Sequence, residues 1–259
     1  MAVIVLAAML GGWPLVAPAA AADDGLALHL VTGPDYKPFT DPHLPLGGMQ
    51  SQIVRAAFAK VGDKVTIDFE PWARGYAETR RLEFDATFPY ARTTEREKDF
   101  LYSDDIYVQL SRPYVLADST MTANAVGDLA GKTLCSPHGY YMSEVIQQLV
   151  ARQAITLERP PGMEQCFKML QLHRVDAVIC IDIQARATAL QLFGRQDAVK
   201  PLAPVIALTT HNLIVSRQRP GADRILADFN RGLAMLKASG EFDTIVKSQI
   251  DAYFGQISN

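Results

Sequence analysis

The side chains best equipped for chemistry gather in residues 85–107, DATFPYARTTEREKDFLYSDDIY. Residues 86–88 are short and apolar, with the character of a strand, and they run into a polar turn. Arg92 and Arg96 stand in that turn beside Thr93 and Thr94. A guanidinium offers a planar fork of donors that matches the two oxygens of a carboxylate. A strand ending in guanidinium and hydroxyl groups is therefore a place to hold an acid. Glu95, Glu97 and Asp99 lie close enough in sequence to neutralise both arginines, so a solvated turn of paired charges is the competing reading.

The elements around this turn must position it. Residues 26–31 form an apolar strand, followed by the turn-rich loop TGPDYKPF at 32–39, which carries Tyr36. Residues 50–61 place Ile53, Ala56, Ala57 and Val61 on one helical face, and residues 65–69 alternate as a second strand. Pro71 then opens a helix that carries Trp72 and Arg74, Pro being tolerated in a first turn. Strand, helix, strand, helix, strand predicts an α/β fold with a parallel sheet and covering helices. Ligands of such sheets bind beyond the carboxyl ends of the strands. That rule groups Tyr36, Tyr90, Arg92 and Arg96 into one site. Arg74 either lines the same cleft or covers its own helix end.

The second half repeats the pattern. Strands are predicted at 133–136, 155–159 and 177–181, and helices at 143–153, 163–172 and 183–193. Between the first of these strands and its helix lies Ser136-Pro137-His138-Gly139-Tyr140-Tyr141, whose following helix start favours a polar or anionic group. His138 is read either as part of that site or as a surface-loop histidine. Cys135 ends one strand and Cys166 opens the helix after the next, ends that share one edge of a parallel sheet. A Cys135–Cys166 bridge with Cys180 as a buried thiol is expected, against three reduced core cysteines. No spacing fits a metal site.

The 259 residues carry a net charge of −3 with 49% hydrophobic and 20% charged residues, an ordinary globular composition. No basic run points to nucleic acid. Residues 2–10 are apolar, Gly11, Gly12 and Pro14 interrupt them, and 17–22 are small or apolar, which reads as an export signal over 1–22. A basic start is missing from it, and a short membrane anchor is the alternative. No cysteine follows the small residues, which argues against a lipid anchor. An oxidising compartment would permit the disulfide.

Thr93-Thr94-Glu95-Arg96 followed by Tyr102-Ser103-Asp104 resembles the T-P-E-R … F-S-D signature of the family 3 extracellular solute-binding proteins. The likeness extends over nearly all of the chain after residue 22. Tyr36-Lys37-Pro38-Phe39 is similar to the family's Y-x-P-F loop, Gly127–Leu134 to the start of its second domain, and 173–179 to a later strand, although the usual acidic residue of the helix after Gly47-Gly48 is missing. The resemblance implies a two-lobed type II periplasmic binding fold, each lobe a mostly parallel sheet flanked by helices, joined by two crossover strands. Residues 23–114 with 206–259 would form one lobe and 115–205 the other. It places Arg96 on the carboxylate clamp and an aromatic, Tyr36, on the ligand or at the core edge. Gly139, Tyr140 and Tyr141 fall on the second binding loop. Asp182 falls one residue late for the acid that grips an ammonium, and is otherwise a helix N-cap. The expected function is capture of a small carboxylate-bearing solute, an amino acid or a relative, by a periplasmic monomer that feeds an ABC permease, with no cofactor and no catalysis. The alternatives are an enzyme of the cyclohexadienyl dehydratase kind, using His138, Asp182 or His211, and a sensor without a transporter.

Overall fold

The computed structural model describes residues 25–138, 140 and 142–257. The expected export signal, Gly139 and Tyr141 lie outside these residues. In chain order the first elements are β1 (Ala27–Thr32), α1 (Met49–Lys60), β2 (Lys64–Phe69), α2 (Trp72–Arg80), β3 (Ala86–Tyr90), β4 (Phe100–Tyr102) and β5 (Tyr107–Leu116). Then follow β6 (Thr133–Cys135), α3 (Glu144–Ala151), β7 (Thr156–Glu158), α4 (Met163–Gln171), β8 (Ala177–Ile181), α5 (Asp182–Phe193), β9 (Val199–Pro201), β10 (Ala207–Ser216), α6 (Ala222–Ala238) and α7 (Glu241–Ile257).

The strands form one curled sheet in the order β2-β1-β3-β10-β5-β8-β6-β7, with β4 beside β10 and β9 beside β5. Its ends are parallel: β2 and β3 flank β1, and β7 and β8 flank β6. The middle is antiparallel and consists of the long strands β5 and β10. β10 pairs with β5 over residues 207–211, then shifts register between Asn212 and Ile214 and pairs with β3 and β4. One continuous strand thus belongs to both halves of the molecule.

Each half has its own core. Leu30, Phe39, Met49, Ile53, Phe58, Phe88 and Phe229 are buried together in the first. The second half-sheet is covered on both sides, by a cluster around Cys135, Cys166, Phe167 and Val178 and by another around Leu129, Leu134, Ile146 and Leu149. Helices α1 and α6 approach to backbone contact in the first core, since a Cβ on Gly232 would lie 1.9 Å from the Ala57 carbonyl oxygen.

Two aspartates before strands fasten the parallel pairs. Asp85 accepts from the backbone N–H of His29 at 2.6 Å and forms an ion pair with Arg219. Asp176 accepts from the N–H of Thr133 at 2.7 Å. Both tie the start of one strand to its neighbour, so Asp85, at the entrance to β3, is structural. β3 extends past the expected 86–88 to Tyr90, because β10 continues to pair with it through Asn212 after β1 has ended opposite Phe88. That extension carries Tyr90 to the rim where ligands of parallel sheets are met. Cys135 and Cys166 are disulfide-bonded with Cα atoms 5.6 Å apart, and Cys180 is a buried thiol. No helix among the described residues is long and apolar enough to cross a membrane.

Candidate functional site

A cavity of about 590 Å³ opens between the two halves, with β5 and β10 along one side. A second, of about 440 Å³, lies against the first half. Asp35, Tyr36 and Thr209 line both, so the two are parts of one cleft.

The loop after β1 supplies its first wall. Tyr36 and Thr40 exchange backbone hydrogen bonds at 2.9 Å, which curls the loop and turns the Tyr36 ring into the cleft. The flat indole of Trp72 lies on this loop at Gly33, where an added Cβ would stand 1.9 Å from the ring. Only glycine permits that approach. The indole Nε1–H then donates to Asp35 Oδ1 at 2.8 Å. Tyr90 meets Trp72 edge-on, with ring centroids 5.8 Å apart, and its hydroxyl donates to the Trp72 carbonyl at 3.3 Å. Burial pushes the Tyr90 phenol up to about 12, so it stays a neutral donor.

Arg96 lies over Tyr90, with its guanidinium carbon 5.1 Å from the ring centroid, and its Nη1 donates to the Ala91 carbonyl at 2.9 Å. It lines the second cavity. The acids near it in sequence are engaged elsewhere: Glu95 with Lys98 at 2.5 Å, Glu97 with Arg92 at 3.2 Å and Asp99 with Arg80 at 3.4 Å. The paired-charge reading of this turn therefore holds for Arg92 and fails for Arg96. Among the described residues no carboxylate pairs with Arg96, which leaves a cation in the cleft.

The cleft thus brings together Tyr36, Tyr90, Arg96 and Tyr140. It does not bring in four other predicted residues. Arg92 is exposed, stacks over Tyr102 at 4.9 Å and lines neither cavity. Arg74 pairs with Glu70 at 3.3 Å and Glu78 at 2.8 Å, its neighbours one helical turn away, so it covers the helix. His138 is exposed and is not in the lining. Asp182 is the first residue of α5 and not its cap, which is Ile181. Its carboxylate accepts from the Tyr114 hydroxyl at 3.3 Å and pairs with Arg186 at 3.3 Å. It lines a smaller cavity of about 260 Å³ with Arg112, Tyr114 and Pro201, which adjoins the main cavity through Phe39, Gln109, Ile181 and Ile183 but does not include Arg96. The one-residue shift in spacing has this consequence because successive residues at a strand-to-helix junction point in different directions.

Under the cleft runs a buried polar chain that is silent in the sequence. Gln50 Nε2 donates to His211 Nδ1 at 2.5 Å, His211 Nε2 meets the Tyr36 hydroxyl at 3.2 Å, and that hydroxyl donates to Gln109 Oε1 at 3.3 Å. It ties both crossover strands to the binding loop. Burial depresses the His211 pKa from 6.5 to about 4. The folded protein therefore keeps His211 neutral where the unfolded chain would protonate it. Its contribution to stability is complete above pH about 6.5 and falls, by roughly 3 kcal/mol in all, as the pH drops toward 4. Urea unfolding between pH 4 and 7.5 measures this slope, and His211→Gln flattens it. An unchanged slope in the variant would assign the acid sensitivity to other groups.

The opposite wall, from the second half, is uncharged among the described residues. Ser136, Ser143, Gln184, Thr188 and Gln191 alternate with apolar groups such as Met142 and Ile146. Tyr140 accepts at its hydroxyl from Gln184 Nε2 at 3.0 Å. Lys37, at the first wall, is 3.7 Å from Asp41 and is compensated by it. Asp35 and Gln109 were missed from sequence, and His211 was read there only as a candidate of the enzyme alternative. Locally Asp35 is an acid two residues before Lys37, and only the fold shows that Lys37 pairs with Asp41 instead.

The sequence profile of the bacterial extracellular solute-binding proteins, family 3, matches residues 28–252. No curated protein matches the chain. Solved structures do. The L-cystine solute receptor of Neisseria gonorrhoeae, unliganded and open, superposes with a TM-score of 0.71 at 20% identity, over 90% of this chain and 94% of that one. The second substrate-binding domain of a putative amino acid ABC transporter from Streptococcus pneumoniae gives 0.73 at 18% identity, over 86% and 99%. An amino acid ABC transporter substrate-binding protein of the same species, bound to L-arginine, gives 0.53 at 19% identity, over 87% and 95%. These likenesses establish the type II periplasmic binding fold. The profile match spans most of the sequence, and the chain belongs to the family 3 bacterial extracellular solute-binding proteins.

Proposed function

We propose that this protein captures a small carboxylate-bearing solute, an amino acid or a close relative, between two lobes and hands it to an ABC importer. The lobes are residues 23–114 with 206–259, and 115–205, and the chain is exported to the periplasm and acts as a monomer. The observation that carries the reading is Arg96: a guanidinium at the rim of a parallel sheet, held by Tyr90 and the Ala91 carbonyl, with no acidic partner among the described residues. Such a cation in a cleft is complementary to a carboxylate. Tyr36 and Tyr140 supply walls from the two sides. Closure about β5 and β10 would trap the solute and create the surface that a permease reads. The extracellular family and the amino acid transporters among its structural neighbours support this role.

Binding without chemistry is favoured by His211, the histidine of the cleft lining. Gln50 and Tyr36 engage both its ring nitrogens, so neither is left to move a substrate proton. A thermal-shift screen against amino acids, dipeptides, dicarboxylates and aromatic acids tests the reading. A ligand at about 1,000 times its dissociation constant adds about 4 kcal/mol and raises the melting temperature by several degrees. A recovered ligand that is chemically unchanged supports a receptor. No response to any carboxylate would overturn the proposal.

A further inference from the structure

We infer that Asp35 is the ammonium acceptor of this cleft, so that Arg96 and Asp35, both on the first lobe, hold the two ends of a zwitterionic α-amino acid whose side chain is uncharged. This rests on the reading of Arg96 as the carboxylate clamp.

Asp35 and Arg96 line the same cavity. Neither belongs to an ion pair among the described residues, whereas Lys37, the other charged side chain lining the two cavities, does, as do Arg92, Arg74 and Asp182 outside them. Lys37 has Asp41, Arg92 has Glu97, Arg74 has Glu70 and Glu78, and Asp182 has Arg186. Nor do Asp35 and Arg96 neutralise each other, because their neighbours anchor them separately. Trp72 Nε1 donates to Asp35 Oδ1 at 2.8 Å, and Oδ2 has no side-chain partner among the described residues. Ala91 and Tyr90 hold Arg96. The edge-on pair Trp72–Tyr90, with centroids 5.8 Å apart, connects the two anchors and fixes their spacing. Asp35 is exposed and Arg96 half-buried, so water solvates both here; closure over a ligand would remove that water, and a ligand of the reverse polarity would then compensate the two charges. A zwitterion whose carboxylate meets Arg96 presents its ammonium on the same small head group.

The far wall decides what the rest of the ligand can be. The described residues that the second lobe adds to the cleft bring hydroxyls, carboxamides and apolar groups, with no charge. Ser143 Oγ is buried there without a hydrogen-bond partner among the described residues, and so is Gln109 Nε2 at the base of the cleft. A charged side chain closed against this wall would lose its hydration without gaining a counter-ion. A neutral one, apolar or bearing a carboxamide, hydroxyl or sulfur, would not.

The test uses the full chain and three variants. Wild type is titrated with each of the twenty common L-amino acids, with calorimetry as the readout. The tightest binder is then compared with its des-amino analogue, the same acid with hydrogen in place of the amine. Asp35→Asn keeps an acceptor for the Trp72 indole and removes only the charge. It is expected to weaken the amino acid by about 30-fold or more while changing the affinity for the des-amino analogue less than about threefold. Asp182→Asn is expected to leave both unchanged, and the tightest binders are expected to have uncharged side chains. The inference is overturned if Asp182→Asn causes the loss and Asp35→Asn does not. It is equally overturned if the des-amino analogue binds wild type as tightly as the amino acid, if charged side chains bind best, or if no amino acid binds. Failure of the clamp itself is distinguishable: Arg96→Ala would then keep its affinity for the des-amino analogue, a result that involves no ammonium.

Discussion

Arg96→Ala removes solute binding and leaves the fold standing. Truncating one partner of a desolvated, hydrogen-bonded charge pair costs about 2–5 kcal/mol, which is a loss of about 30-fold to several thousandfold in affinity. Much of that cost is the carboxylate of the solute left buried without a donor. The fold loses little, because the side chain contributes one hydrogen bond to Ala91 and its stacking on Tyr90. Together these are worth about 1–2 kcal/mol. The comparison that gives the result meaning is Arg92→Ala, four residues earlier. Arg92 is exposed and paired with Glu97 at 3.2 Å, so its loss changes affinity less than about twofold. Arg96→Lys restores the charge without the planar fork and recovers only part of the affinity. Calorimetry with the solute found by thermal shift measures all three. Equal affinities for wild type and Arg96→Ala would refute the clamp.

Removal of the Cys135–Cys166 bridge lowers stability by about 4 kcal/mol, the chain-entropy value for a loop of this length, given a sequence separation of 31. For a chain of this size that corresponds to a drop of roughly 10 °C in melting temperature. Both cysteines are fully buried in the cluster with Phe167 and Val178, so a Cys135→Ala/Cys166→Ala double variant loses packing as well as the cross-link. The bridge joins β6 to α4, and neither cysteine lines the cleft, so solute affinity well below the melting point stays within about threefold. Denaturant unfolding of wild type with and without reductant checks the cross-link alone. Cys180 provides a control: its buried thiol is pushed well above its usual pKa and resists alkylation in the native state. A change of less than about 2 °C on reduction would mean that the bridge does not constrain the unfolded chain as described.

Periodicity and element order were enough to place most of the architecture. Strand, loop and helix positions follow from local apolar patterns, which depend on neighbours three or four residues away. The half-sheets follow from the βαβ order, because parallel strands require covering crossovers. Cys135 and Cys166 were readable as a pair for the same reason: both stand at ends that a parallel sheet brings to one edge. That Tyr36, Tyr90 and Arg96 would reach one cleft was readable because each belongs to a loop or strand end beyond the sheet's carboxyl edge, and the family resemblance brought Tyr140 to the same place.

Partner choice was not local, and there the folded molecule decided. Arg92 and Arg96 are alike in type and context, yet one faces Glu97 on the surface and the other turns over Tyr90 into the cleft. Arg74 found two acids on its own side of the helix, and Asp182 found Tyr114 and Arg186. His211 and Gln109 meet through Tyr36 only because β5 and β10 pair side by side across a gap of about a hundred residues. Asp35 became a candidate because it has no counter-ion among the described residues, and that can be known only when the cations around it have been placed. Spacing determines which residues reach a rim. Side-chain direction and the competition among charges, both settled in three dimensions, determine which of them remain free to bind.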